Sequence, residues 1–533
     1  MYRIGVWVSI LTLQAQGTLY LAYLEEKPDS FLLHPERFLT SQALERRKLQ
    51  GIPVNLTDAP IPAEKLKALE QFVKVRGYSR WLNAALIEVS SPERIPSLPF
   101  IRCIEPLSHA PHSSRALATV ASTRSANPSQ KTLSPVNIHQ LHQLNLHTLH
   151  ELGYTGKNIR IAILDAGFPY MDEIPAFRAV FHSGRFLGGY DFVAGDSSIF
   201  GDNSHGTQVA SVIIAHDPDT IGYVGGAPDV AVLLARTENA LSESRIEEWN
   251  WARAAEWADS MGAYIIQSSL GYSTFDDPAE NYTYADMNGR TAITTQAARI
   301  ATQKGLLVIT SAGNEGNSPW RYITAPADAD SIIAVGAINS SGQIAPFSSR
   351  GPTADHRIKP DLVALGWGTY IVGLSGTVQQ ASGTSFAAPL ITSLAACIWQ
   401  SAPELPGWYV REALLQSGDR ARNPDTLYGY GIPDGEKALL YLRQLKAQAS
   451  SASTLRLSPN PVSHTLTLAL NDPNFGWYDM EIYDTEGRLI WRRLYRGMTE
   501  INISVQDWRP GLYIVELVSQ DGKQSFRGKF VKL

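Results

Sequence analysis

Short apolar runs rich in β-branched residues punctuate the middle of the chain, mostly closing on glycine or a small polar residue: IRIAILDAG, VAVLLAR, AYIIQSSLG, LLVITSAGN and SIIAVGAI. Between or after them lie SRIEEWNWARAAEWADSMG, ITTQAARIATQKG and SFAAPLITSLAACIWQ, which read as helices. A strand that is apolar throughout is buried on both faces, and such strands alternating with helices form a parallel sheet covered on both sides. Residues 136–445 are therefore expected to be one α/β domain. In such a domain the ligand site lies beyond the carboxyl ends of the strands.

The pattern changes on either side. Residues 18–107 mix strand-like runs (TLYLAYLEEK, AALIEVS, FIRCIEPL) with helical ones (ERFLTSQALERRKLQ, AEKLKALEQFVK), predicting a small α+β unit. Residues 108–135 are rich in Ser, Ala, Thr and Pro and read as an exposed linker open to proteolysis. A second small-residue linker, 446–454, precedes residues 455–533, whose short strands predict a β-sandwich with a hairpin turn at Asp484–Gly487. At the start, an Arg, an apolar run from Ile4 to Leu13 and Ala15-Gln16-Gly17 fit a secretory signal peptide, residues 1–17. That run is too short to span a bilayer, and no other candidate membrane span is evident.

Composition narrows the function classes. At 533 residues and 44% hydrophobic content the chain is globular and exceeds one ordinary domain. A net charge of −5 gives no electrostatic case for nucleic acid or an anionic membrane. The two cysteines, Cys103 and Cys397, fall in different predicted domains and imply no disulfide framework.

Four polar residues fall at strand ends or helix starts of the α/β domain: Asp165 in LDAGF, His205 in NSHGTQ, Asn314 in SAGNEG and Ser385 in GTSFAAP. Singly, they read equally as a turn former, a surface histidine, a turn asparagine and a helix cap. Chemistry joins them. A serine hydroxyl needs a base to become nucleophilic, histidine has a suitable pKa, and a buried aspartate orients the ring. A side-chain amide and a helix N-terminus can hold the developing oxyanion. Ser204 is expected to cap the helix after His205, and Gly206 to let a substrate backbone approach the imidazole. The chain order Asp, His, Ser is that of subtilisin, not of chymotrypsin or the α/β-hydrolases.

On IAILDAG, HGTQVAS, SAGNEG and GTSFAAP, supported by YDFV, FSSRGP and KPDLVALG, residues 136–445 resemble the subtilisin-like serine proteases. The resemblance implies Asp165, His205 and Ser385 as a triad and Asn314 as oxyanion donor. It also implies that Ser268, Ser269, Leu270 and Gly271, with Ser311, Ala312 and Gly313, line a cleft where an extended polypeptide substrate adds as a strand. Gln208, Ser211 and Phe386 stand where the family usually has His, Gly and Met; none is a triad position, and Phe386, beside the expected nucleophile, bears on local packing and so on substrate preference rather than activity. Residues 18–107 are similar to the pro-region of Bacteroidetes-type subtilases, which implies an intramolecular inhibitor removed by cleavage in the linker. The tail is similar to the sorting domain of the Por (type IX) secretion route, implying recognition by secretion machinery and a secreted or cell-surface product. A stabilising or carbohydrate-binding β module is the other reading of the tail.

The expectation is thus an exported serine endopeptidase made as a zymogen. An inactive subtilase-like binding or adhesion module, or a serine esterase on the same triad, are the alternatives. No cofactor is required by this chemistry. His139, His142, His147 and His150 lie on what reads as one amphipathic helix with Leu141, Leu144 and Leu149, a pattern that reads as packing rather than as a zinc set. Trp249, Trp251 and Trp257 read as core or groove wall. Asp286-x-Asn288-Gly289 begins like a calcium loop but lacks its downstream glutamate, so structural calcium stays open without support.

Overall fold

The computed structural model describes residues 18–89, 93, 95, 97–108, 135–449, 454–471, 477–496, 500–519 and 525–533. The expected signal peptide, residues 109–134 of the first linker and 450–453 of the second lie outside the described residues, while 446–449 continue the helix Gly435–Ala449.

Seven parallel strands form the central sheet in the order Leu362–Leu365, Ile333–Ile338, Leu307–Ser311, Ile265–Ser268, Arg160–Asp165, Ala231–Arg236 and Phe186–Asp191. Successive side chains along a strand point to opposite faces. Ile161, Ile163, Leu307 and Ile309 enter one core, packed on the helices His205–Ile214 and Thr384–Trp399. Ala162, Leu164, Leu306 and Val308 enter the other, under Arg245–Ser260 and Ile293–Gln303. Two cores explain why these strands are apolar throughout. The helix Thr384–Trp399 is buried at every position despite Pro389. Trp249 and Trp251 are core residues, with Trp251 Nε1 donating to Ser268 Oγ at 2.9 Å.

The N-terminal unit carries an antiparallel sheet in the order Lys74–Ser79, Ala84–Val89, Thr18–Leu24, Ile101–Ser108. Its two faces divide their labour. Leu19, Leu21, Tyr23, Ala84 and Leu86 join the second core of the α/β domain, while Ala22, Leu24, Ala85, Ile87 and Val89 pack inside the unit itself. Buried charges pin the junction. Asp259 accepts from Arg46 and Arg47, each at 2.6 Å, and Asp58 accepts from Arg47 and Lys304, each at 2.8 Å. Glu256 also accepts the backbone N–H groups of Arg80 at 2.9 Å and Trp81 at 3.2 Å.

The C-terminal unit packs a three-stranded sheet (order Thr454–Ser458, Thr465–Asn471, Glu500–Ser504) on a four-stranded one (order Leu489–Arg496, Trp477–Asp484, Gly511–Ser519, Ser525–Lys532). The expected turn is present: Gly487 has φ +79°, and Asp484 Oδ1 accepts from the backbone of Arg488 at 3.0 Å.

The histidine-rich segment corrects one expectation. It forms two short helices, Ile138–Gln143 and Leu146–Glu151, because Asn145 takes a left-handed φ of +53° and breaks the run. His142 and His147 then lie with ring centroids 3.9 Å apart, and His150 pairs with the Gly226 carbonyl at 2.9 Å. Cys103 is exposed and Cys397 buried, both unbridged. Among the described residues no helix is long and apolar enough to cross a membrane.

Candidate active site

Asp165 closes its strand with no solvent exposure. Its Oδ1 accepts from the Ala166 N–H and from His205 Nδ1, each at 2.8 Å. A carboxylate only accepts, so Nδ1 carries the hydrogen and Nε2 is left as the acceptor. Burial opposes a charge on the imidazole, but the Asp165 carboxylate, by charge and by hydrogen bond, outweighs it and raises the His205 pKa above its ordinary value.

His205 is the first residue of its helix. The expected Ser204 cap makes no side-chain bond; the Asn203 Oδ1 two residues back accepts the His205 N–H at 2.9 Å. Gly206 also serves otherwise than expected. A Cβ there would sit 2.3 Å from the Gly167 carbonyl oxygen and 3.0 Å from the Asp165 Cβ, so the glycine admits protein backbone, not substrate. Without that approach the helix start could not come down onto the strand end.

Ser385 is the second residue of its helix, after Gly383 with φ +157°. Its Oγ donates to the Ser269 carbonyl at 3.3 Å, while Ser269 Oγ donates to the Ser385 carbonyl at 2.8 Å. The adjoining Phe386 ring lies 5.9 Å from the His205 ring, which places imidazole and serine on one side of the sheet end. Asn314 Oδ1 accepts from the backbone N–H and the hydroxyl of Thr384, at 2.9 and 3.0 Å. Fixing the oxygen fixes the amide, and Nδ2 is the end left to donate. Thr384 went unnoticed in the sequence; a polar residue between Gly383 and Ser385 is its only trace.

A cleft of about 650 Å³ opens beside Ser385 and Asn314. Of the residues expected to line it, Ser269, Gly271, Ser311 and Gly313 do so. Ser268 and Ala312 are buried behind the wall, and Leu270 packs partly into the second core. Ser211 Oγ accepts from the Val372 N–H at 2.9 Å, a tie that a glycine at that position could not make.

Behind the cleft lies an acidic layer that the sequence did not single out. Glu238 accepts from the hydroxyls of Tyr272 at 2.5 Å and Thr237 at 2.9 Å, and burial pushes its carboxyl up to about 7. Burial, with Glu238 and Glu243 adding, pushes Glu247 up to about 10. Glu238, Glu243 and Glu247 are, among the described residues, the one group whose ligand atoms lie close enough to share an ion, within 4.8 Å. The calcium-like segment is spent on itself: Asp286 Oδ2 accepts from the Thr283 N–H at 2.8 Å, and Asn288 Oδ1 from the Arg290 N–H at 2.9 Å.

A model of the Subtilase family matches residues 156–431, more than half the chain. The chain belongs to the subtilase family. Flanking matches are the Bacteroidota peptidase S8 propeptide domain over 19–124 and a secretion-system C-terminal sorting domain over 456–532. This subtilase is similar to subtilisin DY of Bacillus licheniformis, 31% identical over 288 residues that cover 54% of this chain and 92% of the relative. It is 31% identical to subtilisin E of Bacillus subtilis over 283 residues, 52% of this chain and 65% of the relative. Among solved structures it is similar to MycP1 with the N-terminal propeptide removed, at 24% identity and TM-score 0.44, covering 56% of this chain and 96% of that one. The subtilase is a serine-type endopeptidase made as a zymogen, and its sorting domain marks it for export to the cell surface or beyond.

Proposed function

We propose that Ser385, His205, Asp165 and Asn314 carry peptide-bond hydrolysis in this subtilase. His205 Nε2 takes the Ser385 proton as Oγ bonds to the scissile carbonyl carbon. Asn314 Nδ2 and the Ser385 backbone N–H hold the oxyanion. The C–N bond then breaks, the imidazolium returns the proton to the leaving amine, and water hydrolyses the acyl-enzyme by the same route. The reaction needs no cofactor. The observation that carries the reading is the 2.8 Å bond from His205 Nδ1 to buried Asp165, with the ring of Phe386, next to Ser385, 5.9 Å from the imidazole and Ser385 and Asn314 lining one cleft.

The reading extends to the whole chain. Residues 1–17 act as signal peptide and 18–107 as an intramolecular inhibitor released by cutting within 108–135. Residues 136–445 catalyse, and 455–533, after the linker 446–454, address the product to its secretion machinery. A fluorophosphonate probe tests the site: it labels the processed protein and fails on Ser385→Ala. Asn314→Leu keeps the label but lowers peptide turnover by roughly 10²–10³-fold, the scale for one lost oxyanion donor. Equal labelling of wild type and Ser385→Ala overturns the reading.

A further inference from the structure

The cleft beside Ser385 has a chemical bias of its own. Glu243, Asp276 and Glu315 line it, and no Lys, Arg or His does so among the described residues. The acids are held in place. Asp276 N–H donates to the Glu243 carbonyl at 2.9 Å, and Glu243 N–H returns to Asp276 Oδ2 at 3.0 Å, clamping two loops together. Glu315 directly follows the oxyanion residue Asn314 and accepts from Ser318 Oγ at 2.6 Å on one oxygen, which leaves acceptor capacity on the other. The nearby Arg245 is engaged with Glu248 at 3.3 Å.

A second observation points to a hydrogen-bonding occupant. Thr324 lines the same cleft, is only 4% exposed, and its Oγ1 has no hydrogen-bond partner among the described residues. That oxygen sits between the walls: a Cβ on Gly271 would lie 2.2 Å from it, and one on Gly313 would lie 3.0 Å away. A buried hydroxyl without a partner carries a desolvation cost that a ligand donor removes. Leucine or phenylalanine entering here would leave Thr324 unsatisfied and strip water from carboxylates. An ammonium or guanidinium head offers only donors, which suits both an unpartnered hydroxyl and carboxylates.

The side of the scissile bond follows from the catalytic groups. His205 serves the leaving amine and is not among the lining residues, whereas Ser385, Asn314, Ser311 and Gly313 are. The cleft therefore receives the acyl side. We propose that this subtilase selects peptides with a lysine or arginine on the acyl side of the cleaved bond, held by Glu315 and Thr324 with Glu243 and Asp276 supplying the surrounding negative field. The enzyme's own linker has matching chemistry: residues 108–135 contain Arg115, Arg124 and Lys131 and no Asp or Glu.

The inference rests on the peptidase reading, and one experiment separates their failures. Peptide amides differing only at the residue before the cleaved bond (Lys, Arg, Leu, Phe, Glu) are given to the self-processed enzyme, and kcat/KM is compared. Lysine or arginine is expected to exceed leucine at least tenfold, the worth of a charge-assisted hydrogen bond of roughly 1.4 kcal/mol or more. Glu315→Gln and Thr324→Val should each reduce the basic-to-leucine ratio several-fold, a ratio insensitive to how much variant protein folds. Glu243→Gln should reduce it less and make it less dependent on salt. Cleavage without a basic preference, or a ratio unmoved by Glu315→Gln, overturns this inference and leaves the peptidase reading standing. Cleavage of none of the peptides by an enzyme made and purified intact overturns both.

Discussion

The Asp165–His205 pair fixes both a tautomer and a charge preference, and the two have separable consequences. In the proposed mechanism the imidazole works as a base only when neutral, so activity should fall as pH drops through its pKa, and Asp165 raises that pKa. Asp165→Asn keeps the shape, removes the negative charge and presents an amide that can also pair with the wrong tautomer. Turnover should fall by roughly 10⁴-fold, and the acid limb of the kcat/KM profile should move to lower pH. A limb that stays in place would show that the carboxylate does not tune the ring. The four residues proposed to react drew notice in the sequence because each leaves a local trace, a small or glycine neighbour where backbones come close. Thr324 was not. Nothing in YITAPAD reveals that its hydroxyl lies between Gly271 and Gly313, since that proximity comes from the fold.

Among the elements, legibility followed burial. Interior strands such as Arg160–Asp165 and Leu307–Ser311 pack on both faces and are apolar throughout, so they stood out. Phe186–Asp191 and Lys74–Ser79 are edge strands, and the first carries two glycines and the second alternates with solvent, so neither did. Acidic residues on Arg245–Ser260 drew no notice for a different reason: Glu256 and Asp259 are buried against the pro-region, and their partners come from a distant part of the chain. How tightly elements meet also decides function, and the helix His205–Ile214 provides the test. Alanine is the better helix former by about 1 kcal/mol. Yet Gly206→Ala would drive a Cβ into the Gly167 carbonyl and lift His205 away from Asp165. Displacement by about 1 Å costs on the order of 10²-fold in rate, so kcat/KM should fall by that amount while the protein remains folded. Wild-type activity in Gly206→Ala would refute the packing argument.

Across the whole molecule, the pro-region is held by apolar packing and by ions that are costly to bury unless matched. Arg46, Arg47 and Asp58 come from the pro-region, and Asp259 and Lys304 from the catalytic domain. Such a junction behaves as all or none, because removing one partner leaves another buried and uncompensated, at roughly 3–5 kcal/mol. Its pH response follows from Asp58. Burial pushes this carboxyl up, but Lys304 and Arg47 together pull it further down, from 3.8 to about 2. A depressed carboxylate contributes stability above its ordinary pKa and loses it as pH falls through the lowered value. Docking should therefore be unchanged from pH 7 to pH 5 and fail between about 4 and 2. In the uncleaved Ser385→Ala chain, hydrogen exchange of the helix Ser41–Gln50 reads this directly, with protection retained at pH 5 and lost at pH 2.5. Asp58→Asn should weaken protection already at pH 7, since an amide cannot balance the Lys304 ammonium, and should flatten the acid dependence. Protection lost between pH 7 and pH 5 in the Asp58 chain would mean that a different group governs release. Retention there means that mild acidification alone does not free the enzyme.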